Sequence, residues 1–220
     1  MKGRGLALLG RLGVIVAAIT YAVLAHESNL RPNGSPLGVG LALGPFLLLF
    51  IVLAWRTRYR VPCLLLCLIV CFVVGRYWFM LTQYSVWLYL IQQASSYVFL
   101  GIMFGRSLIG GRVPLCTLWA TLVHGPLTPA VTRYTRSVTA AWTVFFALLT
   151  ILLVVLFAFA PLPAWSFFAN FCTFPLIVAL FVAEYIVRGR VLPNMRHAGI
   201  LEGARAFFKS PQGTAATRRR

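Results

Sequence analysis

The chain has 220 residues, 60% of them hydrophobic and only 10% charged, with a mean hydropathy of +0.88. A water-facing domain is about a quarter charged, so this composition cannot clothe a solvated surface and excludes an ordinary soluble enzyme or binding module. The 20 Lys and Arg against three Glu give +17 at pH 7, yet the arginines stand at the ends of apolar runs rather than in an aromatic-lined basic groove, which argues against nucleic acid as a partner.

A helix needs about 20 predominantly apolar residues to cross a hydrocarbon core, and six runs meet that length. In chain order they lie at about residues 6–25, 38–55, 61–81, 84–104, 138–160 and 164–187. The runs are continuous rather than alternating, and open sheet edges are too costly in lipid, so the predicted fold is all-α: one bundle of six transmembrane helices over residues 1–190. Basic residues alternate from side to side. Lys2, Arg4 and Arg11 precede or open the first run, and Arg56, Arg58 and Arg60 fill the turn after the second. Arg106, Arg112, Arg133 and Arg136 fall in or beside the long connection 105–137, and eight more basic residues occupy the end of the chain. The intervening connections hold only Arg31. The positive-inside rule then puts both termini in the cytoplasm.

The connection 105–137 carries "VPLCTLWATLV", apolar but about half a span, which suits an interfacial or re-entrant segment. Pro126 and Pro129 interrupt regular helix through "HGPLTP", and Thr128 or Thr132 is placed to cap the helix that follows. His124 in this loop is a candidate functional residue. Residues 191–220 form a basic tail, with "AGILEGARAFFKS" modestly amphipathic and the last residues of disordered composition.

Few side chains offer chemistry. There is no aspartate, no close pair of glutamates and no nucleophile elbow, so no catalytic residue is assigned. Cys63, Cys67 and Cys71 share one helical face, but without a His or acid beside them they read as small packing residues, and neither metal nor cofactor is expected. Depth arithmetic places Arg76 about 7–8 Å inside the outer boundary of the third run. Gln92, Gln93 and Asn170 fall in the same outer half. Such a polar cluster either ties helices together by hydrogen bonds or opens a polar cavity outward, with Arg76 facing an anionic headgroup or pairing with Glu27. Glu184 precedes Arg188 by four residues near the end of the last run, the order that favours an interfacial helical ion pair; a proton relay is the alternative.

"RYTRSVTAAW" at Arg133–Trp142 and "WSFFANFCTFPLIVALFVAEY" at Trp165–Tyr185 resemble signatures of a family of polytopic inner-membrane proteins of Gram-negative bacteria. The resemblance covers the carboxy-terminal half well, the amino-terminal half in hydropathy alone. It implies a place in the bacterial inner membrane beside gene clusters for aryl-polyene or xanthomonadin-type pigments, and brings no assigned activity. Together with the charge pattern it leads to the expectation of a non-catalytic accessory protein in lipid-linked or polyene acyl-chain biogenesis. Arg56, Arg58, Arg60, Arg106, Arg112, Arg133 and Arg136 would form a basic cytoplasmic face for anionic membrane lipid, or for an acyl carrier protein or biosynthetic enzyme. The alternatives are a small lipid transporter or flippase using the cavity near Arg76, and a membrane acyl-transfer enzyme using His124.

Overall fold

The computed structural model describes residues 2–31, 34–57 and 60–191, the side chains of residues 2–9, 11, 56 and 60 excepted. Its elements are α1 (Lys2–Asn29), α2 (Pro36–Arg56), α3 (Arg60–Arg76), α4 (Trp78–Gln83), α5 (Ser85–Ser107), α6 (Leu115–His124), α7 (Pro129–Phe159), α8 (Leu162–Phe167), a π-helical turn at Phe168–Cys172, and α9 (Thr173–Val191). No strand occurs among the described residues. Among the described residues five stretches are long and apolar enough to cross a membrane: Leu12–Asn29, Pro36–Trp55, Ser85–Ser107, Pro129–Phe159 and Leu162–Val191. Large apolar side chains cover the outside of the molecule, Phe72, Phe79 and Phe159 being 73%, 78% and 86% exposed. Water would penalise that surface, whereas acyl chains solvate it without cost.

The third predicted span is not one long helix. α3 ends at Arg76, Tyr77 takes φ −103° and ψ 18°, and α4 follows. Gly75, the poorest helix former after proline, stands just before the break. Helical bonding nevertheless crosses the joint, since Tyr77 N donates to Val73 O at 3.0 Å and Leu81 N to Tyr77 O at 2.9 Å. Other boundaries also move. α1 runs on to Asn29, which makes His26 and Glu27 helical, and α7 opens at Pro129 rather than near Val138. Proline is welcome there because the first helical N–H has no partner anyway. At 1.5 Å per residue the 31 residues of α7 extend about 46 Å, against roughly 30 Å of hydrocarbon. Arg133 and Arg136 therefore ride on the surplus first turns of a helix and not in the loop before it. The break itself is Gly125–Thr128, with Gly125 at φ +75°, a left-handed conformation that glycine adopts freely.

Two compact units share these helices. The first consists of the chain up to Ser95 with Ile151–Pro175. Small residues let its helices approach: Ala25 and Ala42 are buried, and a Cβ at Gly38 would meet Ser28 Oγ at 2.7 Å. Tyr21 ties α1 to α2 by donating to Leu41 O at 3.0 Å, and Ser35 N donates to Ser85 Oγ at 3.1 Å. Trp165, wholly buried, packs edge to face against Tyr89 and Phe157. The second unit consists of Ser96–Thr150 with the chain from Leu176. Its core is Trp142 among Phe104, Phe146 and Phe181, the last at 4.6 Å between ring centroids. α6 begins without a local side-chain cap. Its first N–H groups are taken instead by Ser107 Oγ, from Leu115 N at 3.1 Å, and by Thr139 Oγ1, from Cys116 N at 3.2 Å. A buried contact between Thr117 and Thr135 hydroxyls at 2.7 Å fixes the same helix to α7.

Candidate functional site

Within the first unit a hydrogen-bonded network gathers on α8 and the π turn. The centre is Ser166 Oγ, fully buried, which receives the Nδ2 amides of Asn29 at 3.4 Å and Asn170 at 3.3 Å and lies 2.9 Å from His26 Nδ1. An amide nitrogen only donates, so Ser166 Oγ accepts from both amides, and its contact with His26 Nδ1 adds a third partner to the same oxygen. Asn170 is oriented independently: Nδ2 donates to Ser166 O at 2.8 Å while Oδ1 accepts from Tyr89 OH at 2.6 Å. The π turn widens the ladder and frees carbonyls for side chains, and Ala169 O accepts both Gln93 Nε2 at 3.0 Å and Thr173 Oγ1 at 2.8 Å. The His26 ring meets Phe167 and Phe171 edge to face, which closes the network with aromatic surface. Its members bond to one another, so the cluster binds helices together.

Two residues of the predicted intramembrane cluster, Gln93 and Asn170, do meet on the π turn; Gln92 beside them is half-buried. Arg76 is joined to neither Gln93 nor Asn170 by a hydrogen bond among the described residues. It is exposed, its guanidinium carbon 5.8 Å from the ring of Tyr77, and among the described residues no ion pair joins it to Glu27. The physical reason is the break after α3, which leaves Arg76 at a helix end. His26, Asn29, Ser166 and Tyr89 are the members that sequence reading missed. The readable signal was the pair of polar spacings, His26–Asn29 at three residues and Ser166–Asn170 at four, each of which lines one helical face.

The second unit carries a different site, a groove of about 270 Å³ between the start of α7 and the end of α9. Tyr134, Val138 and Ala141 form one wall and Leu180, Ala183 and Val187 the other, each set spaced as one helical face. Its polar lining is Tyr134, Ser137 and Glu184, and Arg188 stands one turn further along α9. Arg188 Nε lies 3.7 Å from Glu184 Oε1, the predicted i,i+4 pair, at ion-pair distance but too far for a hydrogen bond. Tyr134 OH is 3.2 Å from both the carboxylate Oε1 and the backbone carbonyl of Glu184, holding the acid against α7. Arg188 Nε is shielded from water without any hydrogen-bond acceptor.

The second unit is strongly basic. Arg106, Arg112, Arg133, Arg136 and Arg190 are exposed and Arg188 half-exposed, with Glu184 the sole carboxylate among the described residues of this unit. Arg136 Nη2 donates to Leu108 O at 3.2 Å, pinning the connection after α5 to α7. Arg56 and Arg60 end and begin helices α2 and α3, and Arg58 lies outside the described residues, as does the tail from residue 192. His124 closes α6 on an exposed surface, and no acid or hydroxyl is bonded to it among the described residues. The five cysteines are free thiols, and no three His, Cys, Asp or Glu side chains gather among the described residues. A second groove of about 440 Å³, between α2 and α3, is lined by apolar side chains such as Leu43, Phe50 and Val70 and by Cys67.

No protein-family model, curated protein or solved structure matches this chain.

Proposed function

We propose that the chain is a six-span inner-membrane protein with both ends in the cytoplasm, α3 and α4 together supplying the third crossing. α3 through α4 covers 24 residues with helical bonding across Tyr77, about 36 Å and long enough for the hydrocarbon. In this reading it is a non-catalytic accessory protein of lipid-linked or polyene acyl-chain biogenesis that holds anionic lipid at its basic cytoplasmic side. The observation that carries the lipid part is the charge of the second unit: six arginines against one carboxylate among its described residues, with Arg133 and Arg188 each next to or one turn from residues that line a mainly apolar groove. A headgroup phosphate suits the first feature and an acyl chain the second.

The test is the lipid that accompanies the detergent-purified protein. Anionic phospholipid enriched over the host membrane, and lost in Arg133→Gln/Arg136→Gln, is the expected result; equal representation of anionic and zwitterionic lipid would dismiss it. Salt-sensitive capture of an acyl carrier protein with no lipid enrichment would move the partner from lipid to protein.

A further inference from the structure

The groove between α7 and α9 owes its space to two small residues. Ala141 on one wall and Ala183 on the other are both exposed, while Trp142 beside them is buried against Phe181. A larger side chain at either alanine fills the channel without touching a charge. At the other end stands Arg188, whose Nε–H is hidden from water and 3.7 Å from the nearest carboxylate oxygen. A buried donor with no acceptor is unfavourable until an acceptor arrives. Tyr134 draws the Glu184 carboxylate towards α7, so that acid does not close on the guanidinium. Arg133 lies one helical turn before Ser137, a groove-lining residue, and is exposed on the same face. The groove therefore has an apolar channel about two turns long, with Arg133 and Arg188 within one turn of its lining at the same end.

We infer that this groove seats one glycerophospholipid with a net-negative headgroup, its phosphate on Arg188 and Arg133 and one acyl chain along Ala141 and Ala183. The inference rests on the reading that the basic side holds anionic lipid, and names where. A headgroup with its own ammonium is disfavoured because the single carboxylate is already held against α7 by Tyr134. Guanidinium groups match phosphate oxygens in number and geometry of donors.

Native mass spectrometry of the full chain, taken from nanodiscs of equal phosphatidylglycerol and phosphatidylcholine, tests it. Wild type retains one phosphatidylglycerol; Ala183→Leu and Ala141→Leu lose it; Arg188→Gln lowers the preference about tenfold, the scale of one charge-assisted hydrogen bond. Melting temperature in the same detergent identifies folded variants, and two alanine positions on facing walls guard against one that fails to fold. If both folded leucine variants keep the lipid while Arg133→Gln/Arg136→Gln loses it, the groove is not the seat and the basic-side reading survives. If wild type takes both phospholipids equally, both fall. Retention of a free fatty acid in place of phospholipid overturns the headgroup assignment.

Discussion

Ser166 Oγ lies 2.9 Å from Nδ1 of His26, 140 positions away in the chain, and two amide donors converge on the same oxygen. The contact joins the end of α1 to α8, so the first and last apolar stretches are clasped by one hydroxyl. In lipid the hydrophobic effect does not press helices together, and packing plus hydrogen bonds must hold them. A clasp of this kind therefore counts for more in the assembly of the first unit than a similar group on a water-facing surface.

Ser166→Ala should destabilise the protein by about 1–3 kcal/mol, because it strands the imidazole nitrogen and the Asn29 amide in an apolar setting. Asn170→Ala should cost more, since Tyr89 OH loses its acceptor as well. Thermal unfolding in one detergent at fixed lipid content reads both. A double-mutant cycle of His26→Phe with Ser166→Ala should show coupling of about 0.5–3 kcal/mol, and additive effects would mean the two side chains do not communicate.

Two glycines two residues apart make an internal control on α2. A Cβ at Gly38 would lie 2.7 Å from Ser28 Oγ and 3.1 Å from Ser85 Cβ, whereas one at Gly40 meets nothing within 4 Å. Gly38→Ala should thus lower stability by about 1–3 kcal/mol through overpacking. Gly40→Ala should leave it unchanged or raise it by up to about 1 kcal/mol, the helix-propensity gain. Equal melting temperatures for the two variants would show that α1, α2 and α5 are not in the close contact described.

Helices were the legible part of this molecule, and for a simple reason: long apolar runs without alternation have no other affordable backbone in lipid. Polar residues inside those runs also announced themselves, which is why Gln93 and Asn170 were singled out. Partners were less legible. Arg76 was placed with them by depth, yet depth says nothing about where a helix breaks, and the turn at Tyr77 puts the guanidinium outside. Ser166 and His26 sit at the margins of apolar runs, where a hydroxyl or imidazole reads as interfacial. The π turn that exposes Ala169 O to Gln93 has no composition of its own, so the acceptor was invisible until the backbone was known. The groove was hidden for a related reason: Ala141 and Ala183 matter through the neighbour each fails to touch.

The start of α6 depends on a cap borrowed from α7. Thr139 is fully buried, accepts from Cys116 N and donates to Thr135 O at 2.8 Å. Desolvation also pushes the Cys116 thiol up, against the Thr139 hydrogen bond that lowers it. Thr139→Val keeps the shape and removes the acceptor, at an expected cost of about 0.5–2 kcal/mol, the range for losing a helix cap. Amide exchange should accelerate at Cys116 and its neighbours in α6 and leave the amides of α1 unchanged. Unaltered protection at Cys116 would mean the threonine is not what holds that N–H.

Six crossings and five make opposite statements about where the chain ends, and the difference lies entirely in α3 and α4. If the pair crosses as one kinked unit, a reporter fused after Gln83 faces outward together with reporters at Arg31 and Pro161, while fusions after Gly110 and Val191 face the cytoplasm. Arg76 then sits near the outer boundary with its guanidinium able to reach water from a helix end, consistent with its exposure. If α3 instead returns without crossing, the reporters after Gln83, Gly110 and Pro161 invert relative to Arg31. The arginines at 106, 112, 133 and 136 would then face outward, against the positive-inside rule for a short connection. An outward-facing fusion at Gly110 would therefore remove the third crossing and, with it, the cytoplasmic placement of the basic side.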